Sequence, residues 1–92
     1  MKNQARLEWP LVLVTWEDSH SVPGGWRPLA EIVDDGSPTL CCSAGWLIQR
    51  NKEAITIVPH LSGGLQKNVR PYGRGGLTIP RSCVVKLQTL RR

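Results

Sequence analysis

The sequence predicts a mainly β domain: five short strands curled into a small barrel, with one short helix. Three observations carry this. Residues 11–16, Leu-Val-Leu-Val-Thr-Trp, are rich in apolar and β-branched side chains. Residues 39–49 and 54–58 form two strand-like runs separated by the polar turn Arg50-Asn51-Lys52-Glu53. The closing run Gly76 to Leu87 places two short apolar segments on either side of Pro80. Ninety-two residues suffice for one domain with one modest core, which buries about 60–65% of the unfolded surface. The division expected is a flexible N-terminus over 1–8 and a single β-barrel over 9–90.

Taken in order, Met1 to Arg6 is polar and reads as a frayed end. Pro10 opens the first strand where its missing N–H costs no ladder bond, and the unbroken apolar run predicts burial on both faces. Glu17 to Trp26 has loop composition, with Trp26 after Gly24-Gly25 expected to anchor the loop on the barrel. Pro28-Leu29-Ala30-Glu31-Ile32-Val33 spaces its apolar groups at i, i+3 and i+4, which predicts a helix of at most two turns. Pro28 suits its first position and Gly36 its C-terminal cap, while Asp34 and Asp35 oppose the dipole at that end.

In Thr39 to Gln49, Cys42, Ala44, Trp46 and Ile48 share one face; Cys41, Ser43, Gly45, Leu47 and Gln49 share the other. Gly45 beside Trp46 predicts a bulge or sharp bend of the kind that curls a small sheet. Ala54 to Val58 is the returning strand, closed by Pro59. Leu61 to Gly76 reads as one long connection with Gly63, Gly64, Gly73, Gly75 and Gly76, a length usual for functional or mobile loops. Leu77-Thr78-Ile79 is the fourth strand, Pro80-Arg81-Ser82 a 3₁₀-like turn, and Val84 to Leu90 the fifth strand. The terminal pair Arg91-Arg92 reads as a basic tail. With no phenylalanine in the chain, Trp9, Trp16, Trp26 and Trp46 are expected to supply the aromatic bulk of the core. On that reading Trp46→Ala costs about 3–5 kcal/mol.

The apolar content of 40% is too high for a disordered chain. No apolar run approaches the roughly 20 residues that span a bilayer. Met1-Lys2-Asn3-Gln4 lacks the apolar centre of a signal peptide, so the expectation is a soluble protein that stays in the cytoplasm, without membrane contact. Three cysteines, two of them vicinal, argue against a disulfide scaffold, and their neighbours predict reduced thiols acting as small hydrophobes. No Cys-x-x-C pair is present, and neither a metal nor another cofactor is expected.

The net charge of +5 is unevenly spread: residues 1–49 sum to −3 and residues 50–92 to +8. Such a field favours anionic partners near the C-terminal half, and equally allows the acidic half of one subunit to meet the basic half of another. Two candidate sites follow. In the loop from Lys67 to Gly76, glycines let backbone N–H groups approach an anion. Lys67, Arg70 and Arg74 supply charge, and Tyr72 can stack on a base. There is no Walker or Gly-x-Gly-x-x-Gly pattern, so the signal is one of composition, and a solvated hairpin loop explains it equally well. In the second, Asp18-Ser19-His20-Ser21, an acid, two hydroxyls and an imidazole crowd together beside Trp26. Neighbours along a loop seldom converge as a triad, so a turn satisfying its own N–H groups, or a ligand contact by Asp18, His20 and Trp26, is the expectation. His60 reads as a strand-end residue.

Ile79, Pro80, Ser82 and Val84 match the Ile-Pro-x-Ser-x-Val close of SH3 domains, in which a 3₁₀ turn leads into the last strand, and the chain resembles an SH3-like barrel there. Cys83 stands where those domains carry tyrosine, and their Ala-Leu-Tyr-Asp-Tyr opening is absent, so their peptide groove does not carry over. Through Thr15 to Ser21, Gly45 to Leu47 and the Ile-Pro-x-Ser close, the chain also looks like small proteins of bacterial viruses and prophages. That resemblance implies a bacterial host cytoplasm and a protein that binds and disables something of the host.

These readings lead to a non-enzymatic binding protein that captures a phosphate-bearing, nucleotide-derived ligand, sequestering a host immune signal. A small barrel binding single-stranded nucleic acid or RNA, and a protein-contact role as inhibitor or structural viral component, are the alternatives. Homo-oligomerisation fits all three, because a domain this small gains buried apolar area by pairing.

Overall fold

The computed structural model describes residues 8–63 and 65–90. The expected frayed ends at Met1 to Arg6 and Arg91-Arg92, and Gly64, lie outside the described residues. The chain runs β1 (Leu11–Asp18), α1 (Leu29–Asp34), β2 (Thr39–Arg50), β3 (Ala54–Val58), β4 (His60–Ser62), β5 (Tyr72–Arg74), β6 (Leu77–Pro80), a 3₁₀ turn (Arg81–Cys83) and β7 (Val84–Thr89). The architecture is mainly β. Five strands form an antiparallel sheet in the order β6-β3-β2-β1-β7, and β4 and β5 form a separate two-stranded ribbon.

One strand serves both halves of the large sheet. β2 pairs with β1 from Thr39 to Trp46, then with β3 from Trp46 to Arg50, and the β2–β3 register shifts between Leu47 and Gln49. The expected bulge at Gly45 therefore falls at Ile48. Gly45 meets a different demand, close approach of backbone, because its Cα lies against the main chain of Val58. The β2–β3 turn is tied by Asn51, whose Oδ1 accepts from the backbone N–H groups of Glu53 at 2.8 Å and Ala54 at 2.9 Å.

The core is aliphatic. Val12 and Val14 of β1, Leu47 of β2, Ile55 and Ile57 of β3 and Ile79 of β6 form one buried cluster, with Trp16, Leu77, Cys83, Val84 and Leu87 packed on it. Both edge strands, β6 and β7, feed this same cluster, so the sheet curls over its own inner face. The edges do not pair with each other, and the sheet is open.

Several expectations change here. β1 is buried on one face only: Val12 and Val14 point inward, while Leu11 and Leu13 are half-buried outside. On β2 the inward set is Cys41, Ser43, Gly45 and Leu47, which places Trp46 on the outer face. None of the tryptophans forms the core: Trp9, Trp16 and Trp46 are half-buried and Trp26 is fully exposed. Short strands pack their β-branched aliphatic residues to high density without aromatics. Cys42 is exposed rather than apolar-packed, and all three thiols are free.

The helix forms where expected, with Pro28 as its N-cap residue rather than its first helical one, and with Asp35 rather than Gly36 as its C-cap. It buries nothing, and Leu29 and Val33 face solvent. Trp26 does not anchor this excursion. Arg27 does: its guanidinium donates to the Pro23 carbonyl at 2.9 Å and to Asp35 Oδ2 at 2.9 Å. The second contact offsets the carboxylate that opposed the helix dipole.

Candidate functional site

The basic, glycine-rich stretch is not a structureless loop. His60–Ser62 and Tyr72–Arg74 pair as a ribbon in the register His60↔Arg74, Leu61↔Gly73 and Ser62↔Tyr72. Three-residue strands of this composition carry no apolar alternation, so sequence periodicity could not reveal them. The turn between them is compact. Gln66 N–H donates to the Gly63 carbonyl at 3.3 Å and Val69 N–H to the Gln66 carbonyl at 3.4 Å. Gly63 and Asn68 adopt left-handed φ of 85° and 63°. A Cβ on Gly63 would stand 2.4 Å from the Arg70 carbonyl oxygen, so only glycine lets the chain cross there.

Side chains alternate across a strand. His60, Ser62, Tyr72 and Arg74 therefore share one face of the ribbon, and Leu61 and Gly73 the other. The Leu61–Gly73 face turns toward the large sheet: a Cβ built on Gly73 would meet Val58 Cγ1 at 3.3 Å. A groove of about 320 Å³ lies along the ribbon, walled by residues of both strands: His60, Leu61, Ser62, Tyr72, Gly73 and Arg74. An imidazole, a guanidinium and two hydroxyls belong to its lining, without a carboxylate. Beyond Glu53 the sequence contains no Asp or Glu at all. Among the described residues Arg74 has no ion-pair partner, whereas Arg27 has two. These groups can donate hydrogen bonds to an anion, and the guanidinium fork matches phosphate oxygens.

Lys67 and Arg70 are exposed on the turn and line neither this groove nor the others described below. Of the basic stretch, the fold thus brings Tyr72 and Arg74 to one place and adds His60 and Ser62, which sequence reasoning missed. The signal available was the position of His60 directly after Pro59, at the start of a new strand.

Asp18 and His20 lie elsewhere. They line a groove of about 500 Å³ together with Glu17, Ser37, Ser82 and Cys83. The β1–β2 ladder runs from Asp18↔Thr39 at this groove to Leu11↔Trp46 near the ribbon, about 23 Å at 3.3 Å per residue. One small ligand cannot touch both. His20 is engaged by the loop itself. Its Nε2 lies 3.3 Å from the Asp35 carbonyl oxygen, to which an Nε2–H can donate. Its Nδ1 lies 3.2 Å from Thr39 Oγ1. Neither nitrogen is hydrogen-bonded to Ser19 or Ser21 among the described residues; the hydroxyl beside Nδ1 is that of Thr39. Trp26 stands free in solvent and lines none of these grooves.

Among the described residues no group of three or more His, Cys, Asp and Glu side chains is placed to hold a metal ion. No helix there is long and apolar enough to cross a membrane. Comparison with protein-family models, with curated proteins and with solved structures returns no match.

Proposed function

We propose that this chain is a non-enzymatic binding protein that captures a phosphate-bearing, nucleotide-derived ligand on the β4–β5 ribbon. The observation that carries the reading is the ribbon face itself, where His60 and Arg74 stand opposite each other with Ser62 and Tyr72 beside them. No carboxylate lines the groove. Capture needs no catalytic group, only affinity, and sequestration of a nucleotide-derived defence signal suits the resemblance to phage proteins. The strand order β6-β3-β2-β1-β7, with a 3₁₀ turn joining the two edges, supports an SH3-like barrel as the scaffold.

Calorimetry of the whole chain with inorganic phosphate, ribose 5-phosphate and a panel of linear and cyclic nucleotides tests the reading. Micromolar binding that Arg74→Ala weakens about tenfold or more is the expected result. No phosphate-bearing probe binding at that level would refute it.

A second reading has its own observation. Trp26, Leu29 and Val33 expose large apolar surface on one short excursion, which is the composition of a protein-contact patch. Through it the chain would pair with itself or inhibit a host enzyme. Sedimentation of wild type against Trp26→Ser/Val33→Ser examines self-pairing, and identical monomer masses would exclude it.

A further inference from the structure

A second groove adjoins the phosphate-binding face. It encloses about 280 Å³ and is lined by Trp9, Ile48, Val58, Leu61, Pro71, Tyr72 and Gly73, without a charged side chain. Leu61, Tyr72 and Gly73 belong to both linings, so the two grooves are neighbours along the ribbon. Their chemistry is opposite. One offers a guanidinium, an imidazole and hydroxyls; the other offers an indole, a phenol ring, a proline ring and aliphatic walls.

Tyr72 is 64% exposed and Trp9 half-buried, so both rings keep surface for a planar partner. Neither ring belongs to the buried aliphatic cluster. Glu8, next to Trp9 in sequence, is exposed and lines neither groove. An anionic group joined to a flat apolar ring is the ligand that such a pair of grooves fits. A free inorganic or sugar phosphate fills only one of them.

We infer that the apolar groove is a nucleobase subsite, in which Trp9, Pro71 and Tyr72 hold the base of a nucleotide whose phosphate lies on His60 and Arg74. This rests on the phosphate-capture reading above and adds to it the base as the source of selectivity. Stacking on aromatic side chains contributes about 1–3 kcal/mol per base. Loss of the base should therefore weaken binding by about 5- to 150-fold, since 1.4 kcal/mol is a factor of ten.

The probes are adenosine 5′-monophosphate, uridine 5′-monophosphate, ribose 5-phosphate and adenosine, titrated calorimetrically into the full chain. At least one nucleotide should bind five-fold or more tighter than ribose 5-phosphate. Trp9→Ala, which touches only the apolar groove, should bring that nucleotide down to the sugar phosphate's affinity and leave ribose 5-phosphate unchanged. Ile48→Ser, at an exposed position that lines only the apolar groove, should weaken that nucleotide and again leave ribose 5-phosphate unchanged. Should Trp9→Ala fail to fold, Ile48→Ser decides the matter alone. Ribose 5-phosphate binding as tightly as both nucleotides would overturn the base subsite and leave phosphate capture standing. So would Trp9→Ala or Ile48→Ser weakening nucleotide and sugar phosphate alike. If no phosphate-bearing probe binds, phosphate capture falls and the subsite falls with it.

Discussion

A Cβ placed on Gly45 would stand 2.8 Å from the carbonyl oxygen of Val58 and 2.9 Å from its carbonyl carbon. Both are main-chain atoms, which cannot rotate aside as a flexible side-chain tip can. The contact lies where β2 leaves β1 and takes up β3, with Trp46 paired to Leu11 on one side and to Val58 on the other. Here the sheet turns over its core, and Val58 also carries the ribbon's Gly73 on its side chain.

Gly45→Ala is therefore expected to destabilise the protein by about 1–3 kcal/mol through overpacking. For a domain of this size each kcal/mol lowers Tm by about 4–8 °C. Gly25→Ala is the control, because its Cβ would meet nothing within 4 Å and its φ is not positive. It should change stability by no more than about 0.5 kcal/mol. Thermal melts of equal midpoint for the two variants would show that the Gly45 approach relaxes freely.

Aliphatic and aromatic truncations should rank against residue size. Ile55 is fully buried, and Ile55→Ala is expected to cost about 2–5 kcal/mol by loss of contacts and cavity formation. Trp26, fully exposed, should be replaceable by Ala within about 0.5 kcal/mol. Trp46→Ala falls between them, because its ring packs half-buried on the outer face. Urea titrations giving Trp26→Ala a larger loss than Ile55→Ala would contradict the core assignment.

Trp16 Nε1 donates to Ser43 Oγ at 3.0 Å across the β1–β2 ladder, in a partly buried setting. Ser43→Ala leaves the indole N–H without this acceptor and should cost about 0.5–1.5 kcal/mol. Trp16→Phe in the Ser43→Ala background should recover part of that loss, as removing both partners leaves nothing unpaired. A double-mutant cycle with zero coupling would show that the bond contributes nothing.

Arg27 ties the β1–β2 excursion through Pro23, Glu31 and Asp35, at partly exposed positions. Exposed ion pairs contribute about 0–1 kcal/mol to global stability. Arg27→Ala is thus expected to leave the melting midpoint nearly unchanged while speeding proteolysis between residues 19 and 38 several-fold. Unchanged cleavage would mean that the excursion holds its shape without the guanidinium.

Salt separates the two nucleic-acid readings. A single phosphate group on His60 and Arg74 gives a shallow dependence, whereas a strand contacting Lys67, Arg70 and Arg74 together releases several counterions. The slope of log K against log salt is about −0.7 per phosphate neutralised on a single strand. A slope near −1 for a mononucleotide, with oligonucleotides binding no tighter, is the expected outcome. A slope of −2 or steeper, with affinity growing along an oligonucleotide, would favour the strand-binding alternative.

What the sequence by itself determined was local. Runs with β-branched side chains placed β1, β2, β3, β6 and β7 within a residue or two, because strand preference and Pro punctuation act over a few positions. Pro28 marked the helix start for the same reason, and the uneven charge marked the half that carries the basic ribbon. Only the tertiary structure decided which face of each strand is inward. On β2 both faces carry apolar residues, and the close approach of Val58 to Gly45 selects the glycine side, sending Trp46 outward. It also decided that the tryptophans leave the core to valine and isoleucine, and that Trp26 yields its anchoring role to Arg27. The ribbon likewise needed the third dimension. His60-Leu61-Ser62 and Tyr72-Gly73-Arg74 are too short to show a period, and their pairing comes from backbone hydrogen bonds and a glycine-permitted turn. That pairing joins His60 to Arg74 across the groove and separates both from Asp18 and His20 by the length of a ladder.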